Sequence, residues 1–340
     1  MSKLYENLAR VINESSMTEG EKQKALKSLL ESQNAKPNVL ITGATGCGKS
    51  STINALFNAE KAKVGTGSTP ETMQIAKYEL GNLTLWDSPG LGDGVEEDKQ
   101  HSKGIIDLLT KKDENGNLLI DVVLVILDGS SRDMGTSYEL INKVIAPCLG
   151  EGKDKRLLIG INQADVAMKG RYWDSVNHKP EPPLETFLKD KEKSVHDRIL
   201  DGTGISVQPI SYSAGFKEEG KPQEPAYNLS KLLYYIIDNI PAEKRLNVVE
   251  MLNTNKEMWQ SDDGLDNYRE EIKKSASDNV VKTLKNVGAS AAAGAAAGAA
   301  IGSFIPGVGT AVGGAIGAVV GAGASLLADI GDAISSWLPW

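Results

Sequence analysis

Apolar positions change their spacing along the chain, and each spacing predicts a different kind of structure. In residues 1–36 they recur at helical intervals, which predicts one or two short amphipathic helices. Between residues 37 and 240, short β-type apolar runs alternate with helical stretches. These runs cover residues 39–42, 75–80, 83–86, 122–127, 157–161 and 207–212. The alternation predicts an α/β domain with a mostly parallel central sheet flanked by helices.

The β-type runs stop after Pro241, and a helical pattern replaces them. Residues 242–286 predict helix with a break at residues 261–264, whose Ser-Asp-Asp-Gly sequence offers turn chemistry. The pattern therefore divides the chain into four parts. They are the N-terminal helices (1–36), the α/β domain (37–240), a helical region (241–286) and a hydrophobic segment rich in Gly and Ala (287–340).

The Gly/Ala-rich segment contains 43 uncharged residues, from 286 to 328, and 26 of them are Gly or Ala. Glycines recur every four residues on both sides of Pro306, which predicts a glycine-zipper hairpin with arms at 287–305 and 307–328. Each arm is long enough to cross a bilayer core of about 30 Å. Three roles stay open: a conditional membrane hairpin, a hairpin packed on the rest of the chain, and a surface for self-assembly.

Composition narrows the classes of partner. The formal net charge is -8 and the pI about 5.2, which argues against binding of nucleic acid. Cys47 and Cys148 are too few for a disulfide framework and favour a reducing compartment. Because the N-terminal residues lack a secretion-signal pattern, we expect a cytoplasmic protein. Association with a membrane through residues 287–328 is one of the three roles left open for the hairpin.

The first candidate site is a glycine-rich loop directly after the run at 39–42. Residues 43–50 fit the phosphate-loop pattern G-x-x-x-x-G-K-[ST], and a helix-compatible stretch follows. Glycines let backbone N–H groups surround phosphate oxygens, and the helix N-terminus adds its positive dipole end. The predicted phosphate-binding residues are Gly43, Ala44, Thr45, Gly46, Cys47, Gly48, Lys49, Ser50 and Ser51. Lys49 should reach the β- and γ-phosphates, and alkylation of Cys47 should block nucleotide binding.

A magnesium site is predicted beside this loop. Ser50 offers a hydroxyl, and Asp87, at the end of the run at 83–86, offers a carboxylate that can reach the metal. Gly90 closes the same Asp-Ser-Pro-Gly sequence, so its amide can face the γ-phosphate. The two motifs together predict a site for Mg²⁺ and a nucleoside triphosphate.

The segment at 64–72 is rich in Gly, Ser and Thr and is suited to fold over a γ-phosphate. We assign the metal-facing threonine to Thr72, with Thr66 and Thr69 as alternatives. Thr72, Lys49 and Gly90 are the residues assigned to catalysis.

Guanine recognition is predicted from two further strand ends. The Asn-Gln-Ala-Asp sequence follows the run at 157–161 and supplies Asn162, Gln163 and Asp165 to the base site. The Asp165 carboxylate can accept from both N1–H and the 2-amino group of guanine, donors that adenine does not present together. Ser213 and Ala214 would complete the pocket through a backbone amide on guanine O6. GTP and GDP, rather than ATP, are therefore the expected ligands.

In order and placement, these elements resemble those of translation-factor-type GTPases over about residues 37–240. The chain is similar to their Era/TrmE-like branch and to bacterial relatives of the immunity-related and dynamin-like GTPases. The resemblance implies a P-loop GTPase fold, hydrolysis of GTP with Mg²⁺, and the residue roles given above. Gln163 stands where this family usually has Lys, which predicts modest nucleotide affinity. Leu91 stands where Ras-type enzymes have a water-orienting Gln.

A leucine cannot orient water by hydrogen bonding, so we expect slow intrinsic hydrolysis and a missing group supplied by a switch residue or a second molecule. Nucleotide-dependent assembly into a homodimer or larger oligomer is the preferred source, with Arg132 and Asp133 as candidates for partner contacts. The prediction is a GTPase switch that controls the C-terminal hairpin. The alternatives are a ribosome-assembly-type GTPase and a module that holds GTP without turnover.

Overall fold

The computed structural model describes residues 3–57, 63–65, 75–90, 95–215, 224–286 and 291–306. The chain forms two compact units. The sheet unit consists of Pro37–Ile240 and Asn253–Asp266, and the helical unit consists of Met1–Lys36, Pro241–Leu252 and Asn267–Trp340. The four-part division expected from the sequence stays a prediction.

The strands of the described ranges all lie in the sheet unit. They are β1 (Asn38–Gly43), β2 (Lys63–Gly65), β3 (Ala76–Leu80), β4 (Leu83–Asp87), β5 (Val122–Asp128), β6 (Leu157–Asn162), β7 (Trp173–Asp174), β8 (Lys179–Pro180) and β9 (Ile210–Ser211). Seven of them form one sheet in the order β2-β3-β4-β1-β5-β6-β9, while β7 and β8 form a separate hairpin. The pairs β1–β4, β1–β5, β5–β6 and β6–β9 are parallel, and β2 and β3 add antiparallel pairs at one edge. The predicted fold class is confirmed.

The helices of the described ranges divide between the two units. They are α1 (Lys3–Glu14), α2 (Glu19–Asn34), α3 (Lys49–Leu56), α4 (Val95–Thr110), α5 (Gly135–Glu139), α6 (Lys153–Arg156), α7 (Pro182–Thr203), α8 (Leu229–Asn239), α9 (Arg245–Val249), α10 (Tyr268–Asn286) and α11 (Ala291–Gly302). A π-helical turn at Leu140–Ile145 continues α5. Short 3₁₀ turns lie at Ala146–Cys148, Ala167–Gly170, Ala242–Lys244 and Lys256–Trp259.

The middle strands of the sheet are buried along their length. Every residue of β6 is buried, as are the first six residues of β5. Strands covered by helices on both faces read as continuous apolar runs rather than as an alternation, and this is what the sequence of β5 and β6 shows. Because β1, β4, β5, β6 and β9 are parallel, their C-terminal ends share one edge of the sheet, where ligands bind in open α/β folds.

Two strands differ from the expectation. Residues 63–65, which overlap the start of the predicted switch segment at 64–72, form β2, paired antiparallel with β3. The predicted run at 207–212 forms only the two-residue strand β9. The Val207 carbonyl lies 2.6 Å from His196 Nδ1, and the Gln208 amide donates to the Tyr235 hydroxyl, so these backbone groups bond to side chains instead of a strand.

The region at 242–286 is less helical than predicted, because its middle belongs to the sheet unit. The Asn253 amide donates to the Leu56 carbonyl, and the indole of the buried Trp259 donates to the Asn253 carbonyl. Further on, Ser261 donates its hydroxyl to the carbonyl of His178 in the β7–β8 hairpin. The expected break therefore becomes a longer non-helical segment.

The helical unit packs the first arm of the Gly/Ala-rich segment against other helices. Helix α11 contacts α1 and α10. Ala297 and Ile301 of this helix are buried, as is Ile305 after its end. Inside the same unit the Tyr5 hydroxyl donates to Asn247 Oδ1 at 2.8 Å. None of the helices within the described ranges is long and apolar enough to cross a membrane. The predicted second arm, 307–328, lies outside the described residues.

Candidate nucleotide site

The phosphate loop connects β1 to α3 at the C-terminal edge of the sheet. Gly46 and Gly48 have φ values of 81° and 89°, which L side chains rarely adopt. A Cβ at Gly48 would also lie 2.2 Å from Asn162 Nδ2. Both the backbone conformation and the lack of space therefore require a glycine at position 48. The turn places the loop amides before the N-terminus of α3.

Lys49 and Ser50 begin α3 directly beneath this loop. The Lys49 ammonium donates to the carbonyls of Gly43 at 3.3 Å and Ala44 at 3.2 Å. Ser50 and Ser51 are exposed, and the Ser50 hydroxyl makes no hydrogen bond within the described ranges. The lysine, which is held against the loop, can bind phosphate, and the exposed hydroxyl can bind a hard cation.

Asp87 ends β4, next to β1 and its loop. Its Oδ1 atom is buried and has no hydrogen-bond partner among the residues that the structure describes. Burial raises the pKa of this carboxyl, and the positive charge of Lys49 opposes the shift. A buried carboxylate oxygen without a partner is unfavourable unless a cation or donor meets it.

These groups fit a magnesium ion. Mg²⁺ at phosphate sites takes one or two protein oxygens and completes its shell with phosphate and water. Ser50, at the start of the helix after β1, and Asp87, at the end of the strand paired with β1, provide two such oxygens. Within the described ranges, no cluster of three His, Cys, Asp or Glu side chains able to hold a metal occurs.

The segment after Asp87 is fixed to the phosphate loop. Ser88 donates its hydroxyl to Thr42 Oγ1 at 2.7 Å, and a Cβ at Gly90 would lie 2.1 Å from Thr45 Oγ1. His101 of α4 places Nδ1 3.2 Å from the Gly90 carbonyl. His101 was not predicted, because a lone histidine on a helix gives no sequence signal of such a contact.

Asn162, predicted as a base reader, lies between the base-side loop and the phosphate loop. It is buried, and its side chain donates to the Cys47 carbonyl and accepts from the Ala214 amide, both at 3.0 Å. Gln163, with φ of 65°, donates its side-chain amide to the Gly46 carbonyl at 2.9 Å. Both side chains therefore tie the base-side loop to the phosphate loop.

The other residues predicted to bind the base, Asp165, Ser213 and Ala214, differ in whether they already have hydrogen-bond partners. The Asp165 carboxylate is half-buried and makes no hydrogen bond with the part of the chain that the structure describes, so it can accept from a ligand. The Ser213 amide donates to the Tyr227 carbonyl at 3.1 Å, and the Ala214 amide donates to Asn162. The predicted amide contact with guanine O6 is therefore not offered by either amide in this arrangement, because both already have acceptors.

Cys47 lies inside the loop but is not accessible. Its side chain is fully buried, and burial raises the pKa of the thiol to about 11. A protonated, buried thiol reacts slowly with alkylating reagents. Alkylation of Cys47, which we predicted to block nucleotide binding, therefore requires the phosphate loop to open first.

The remaining predicted residues fall into two groups. Thr66, Thr69, Thr72 and Leu91 lie outside the described residues. Arg132 and Asp133 lie in the loop after β5, where Asp133 accepts from the Gly135 amide at 2.9 Å and Arg132 lines a cavity with Tyr138 and Phe187.

The order of the strands, the glycine-rich loop after β1 and the carboxylate at the end of β4 define a P-loop GTPase domain. Residues 38–163 match the family model described as 50S ribosome-binding GTPase, which covers somewhat more than a third of the chain.

Two curated relatives show the same likeness over part of their length. The T-cell-specific guanine nucleotide triphosphate-binding protein 2 of Mus musculus is 34% identical over 107 residues, 26% of this chain and 26% of the relative. YfjP of Escherichia coli (strain K12) is 26% identical over 149 residues, 43% of this chain and 47% of the relative. The chain thus matches a quarter to a half of the length of these relatives.

Solved structures with a similar fold are distant. Toc33 from Arabidopsis thaliana, in complex with Mg²⁺ and GMPPNP, is 18% identical with a TM-score of 0.36, covering 58% of this chain and 80% of Toc33. The LeoA bacterial dynamin GTPase from ETEC is 13% identical with a TM-score of 0.40, covering 84% of this chain and 43% of LeoA.

Proposed function

We propose that this protein binds GTP with Mg²⁺ and hydrolyses it as a molecular switch. The observation that carries the proposal is the buried Oδ1 of Asp87 beside the phosphate loop, which has no partner in the described part of the chain. A cation bound there, together with the Ser50 hydroxyl, would satisfy that oxygen. The match of residues 38–163 to a GTPase family supports the same conclusion.

Each part of the site has a task in this proposal. Loop amides from Gly43 to Ser51 surround the phosphates, and Lys49 exchanges the carbonyls of Gly43 and Ala44 for phosphate oxygens. Ser50, Asp87 and the predicted Thr72 would hold Mg²⁺, which when bound would neutralise charge on the phosphates. The Gly90 amide faces the γ-phosphate.

In this proposal guanine binds at the loops that follow β6 and β9, on the base side of the nucleotide site. Asp165 accepts from guanine N1–H and the 2-amino group. Asn162, Gln163 and the Ser213–Ala214 pair hold that end of the pocket in shape through their contacts with the phosphate loop and with Tyr227.

Fluorescent GDP and GTP analogues test nucleotide binding directly. We expect saturable binding of both, strengthened by Mg²⁺ and displaced by GTP but not by ATP. Lys49→Ala removes the phosphate cation and should abolish binding, while the exposed Lys143→Ala, which loses only a surface ion pair with Glu139, should bind normally. Equal displacement by ATP would contradict the guanine assignment.

We further propose that hydrolysis is slow and is stimulated when two G domains meet. Leu91 cannot orient water, so a second molecule supplies the missing group. Arg132 is our candidate for this contact, because it is a cation in the loop at the C-terminal end of β5. Arg132→Ala should remove the dependence of the turnover rate on protein concentration without weakening binding of GDP.

The C-terminal segment is the proposed output of the switch. Packing of α11 on α1 and α10 supports a resting state in which the first arm is held within the helical unit. We propose that the GTP-bound state releases the hairpin, 287–328, toward a membrane. The small residues of the hairpin recur every four positions, and it carries no charges. This pattern supports close pairing of the two helices inside a membrane.

Liposome flotation separates the roles of the hairpin. Protein should float with vesicles containing anionic and neutral lipid when a non-hydrolysable GTP analogue is bound, and should remain at the bottom with GDP. Failure to float in either state would remove the membrane role. Nucleotide-dependent sedimentation without lipid would instead favour self-assembly.

A second candidate function follows from the matched family, whose description names binding to the 50S ribosome. The net charge of -8 speaks against it, since ribosomal RNA attracts basic surfaces. Cosedimentation with 50S subunits in the GTP-bound state would establish this function in place of the membrane role.

A further inference from the structure

Tyr212 extends from the base side of the nucleotide site to the phosphate side. Its backbone follows β9, donating to the Ile161 carbonyl at 2.9 Å and accepting from the Ala164 amide at 3.1 Å. Its ring is fully buried against Gly160 of β6, where an added Cβ would lie 2.9 Å from Tyr212 Cε1. A glycine within a central strand often marks such close approach, so Gly160 leaves the room that this ring needs.

The Tyr212 hydroxyl ends on the first helix after the phosphate loop. It lies 2.7 Å from Thr52 Oγ1, and Thr52 Oγ1 donates to the Gly48 carbonyl at 2.8 Å. A threonine hydroxyl has one proton. Because that proton is used on Gly48, the Tyr212 hydroxyl must be the donor to Thr52, which fixes the direction of the chain of bonds.

The chain of bonds ends on a peptide group that belongs to the phosphate loop. The Gly48 carbonyl and the Lys49 N–H are parts of the same peptide, and the Gly48 carbonyl also accepts from the Thr52 amide at 2.9 Å. Hydrogen bonds that pull on a carbonyl polarise its peptide and strengthen the N–H as a donor. The N–H at the start of α3 is among the donors that face a phosphate in such loops.

We propose that Tyr212 is a positioning residue that, through Thr52, holds and polarises the Gly48–Lys49 peptide for phosphate binding. The proposal rests on the proposed nucleotide site and goes beyond it, since it connects the loop that carries Ser213 and Ala214, through Thr52, to a peptide of the phosphate loop. The buried phenol remains a donor at neutral pH, because burial raises the pKa of Tyr212.

Removal of single hydroxyls tests the link. Tyr212→Phe and Thr52→Val each break the chain of bonds and should weaken binding of fluorescent GDP about three- to tenfold, the effect of one buried hydrogen bond. Thr52→Ser keeps the hydroxyl and should bind as the wild type does. With GTP as substrate, KM should rise while kcat changes less than about twofold, because the peptide acts on bound phosphate in ground and transition states alike.

The control is Tyr235→Phe, which loses a hydroxyl that accepts from the Gln208 amide in the same unit. It should lower the melting temperature without changing GDP affinity. The double variant Tyr212→Phe/Thr52→Val should bind no more weakly than the weaker single variant, because both act through one chain of bonds. Should Tyr212→Phe fail to fold, Thr52→Val against Thr52→Ser carries the comparison.

The proposal is overturned if Tyr212→Phe or Thr52→Val lowers the melting temperature but leaves GDP affinity within about twofold of the wild type. Additive losses in the double variant would also overturn it, since the two hydroxyls would then act separately. If the wild type binds no nucleotide at all, the proposed function itself fails. Normal binding by the wild type with unchanged variants removes only the role of Tyr212.

Discussion

At the scale of single residues, the site combines two carboxylates in opposite situations. Neither Oδ1 of Asp87 nor the Asp165 carboxylate accepts a hydrogen bond from the described residues, but Oδ1 of Asp87 is buried, whereas the Asp165 carboxylate is half-buried. The first is suited to a small hard cation and the second to an organic base with paired donors. Their different burial leads to different expected effects of the same Asp→Asn change.

Asp87→Asn should weaken Mg²⁺-dependent GTP binding without destabilising the protein. The raised pKa means that the ionised carboxyl is disfavoured by folding. Its cost is complete above the folded-state pKa, declines as the pH falls below that value, and is gone below the unfolded-state pKa. Removing the charge should therefore leave the melting temperature of the nucleotide-free protein unchanged or higher at pH 7. Affinity for Mg²⁺·GTP should fall about tenfold or more.

Differential scanning calorimetry and nucleotide titration measure these two effects on the same sample. Asp154→Asn, at the edge of another cavity, is the control and should not affect Mg²⁺·GTP affinity. A variant of Asp87 that melts at lower temperature and binds Mg²⁺·GTP normally would show that this carboxylate has a structural role only.

Asp165→Asn should weaken GTP and favour xanthosine triphosphate. An amide at this position still accepts from one guanine donor but presents a donor of its own, which pairs with the xanthine carbonyl. Competition between the two nucleotides against fluorescent GDP gives the preference. An unaltered preference for GTP would refute the assignment of Asp165 to the base.

The two cysteines should differ in reactivity. Cys47 is buried with a pKa of about 11, while Cys148 is half-buried. At pH 7 to 8 an alkylating reagent should modify Cys148 first, and Cys47 only when the loop opens or the pH approaches the pKa of its thiol. Mass spectrometry of peptides after timed exposure measures this order. Faster labelling of Cys47 would contradict its burial.

At the scale of elements, sequence patterns predicted the strands that are buried on both sides and the loop between β1 and α3. Residues 122–127 and 157–161 match β5 and β6 closely because continuous apolar runs between helices admit few alternatives. The phosphate loop was predictable because its glycines, lysine and serine have fixed spacing. Asp87 was predictable from its place after a strand.

The elements that were missed depend on contacts distant in sequence. The short strand β9 loses its first residues to the side chains of His196 and Tyr235, which no local pattern reveals. The same is true of His101 beside Gly90 and of Asn162 between Cys47 and Ala214. Strand β2 pairs with β3 although the Gly-rich sequence around it predicts a loop.

Helix α11 allows a prediction about the Gly/Ala-rich segment itself. Ala297 is buried where α11 packs on neighbouring helices, whereas Ala296 is exposed. Ala297→Leu should overfill this contact and destabilise the helical unit by about 1–3 kcal/mol. Ala296→Leu adds the same side chain on the exposed side and should leave stability nearly unchanged.

Chemical denaturation of the two variants decides whether this packing exists in solution. Equal stability of Ala297→Leu and the wild type would contradict the packed position of α11. The same pair extends to liposomes, where loosening of the arm by Ala297→Leu should raise flotation even with GDP bound.

At the scale of the whole molecule, the account joins a P-loop GTPase domain in the sheet unit to a Gly/Ala-rich arm in the helical unit. The central claim is that the domain turns over GTP with Mg²⁺. If each site needs a second protein molecule, the total hydrolysis rate should rise more than in proportion to protein concentration. An enzyme that acts alone would show a proportional rise.

The most direct measurement of that claim is phosphate release from GTP and from ATP, with Mg²⁺ or with excess chelator, over a range of protein concentrations. We predict that phosphate is released from GTP and not from ATP, and that release requires Mg²⁺. The rate per protein molecule should rise with protein concentration, and Lys49→Ala should release no phosphate. Absence of phosphate release at every concentration, or equal release from ATP, would contradict the account.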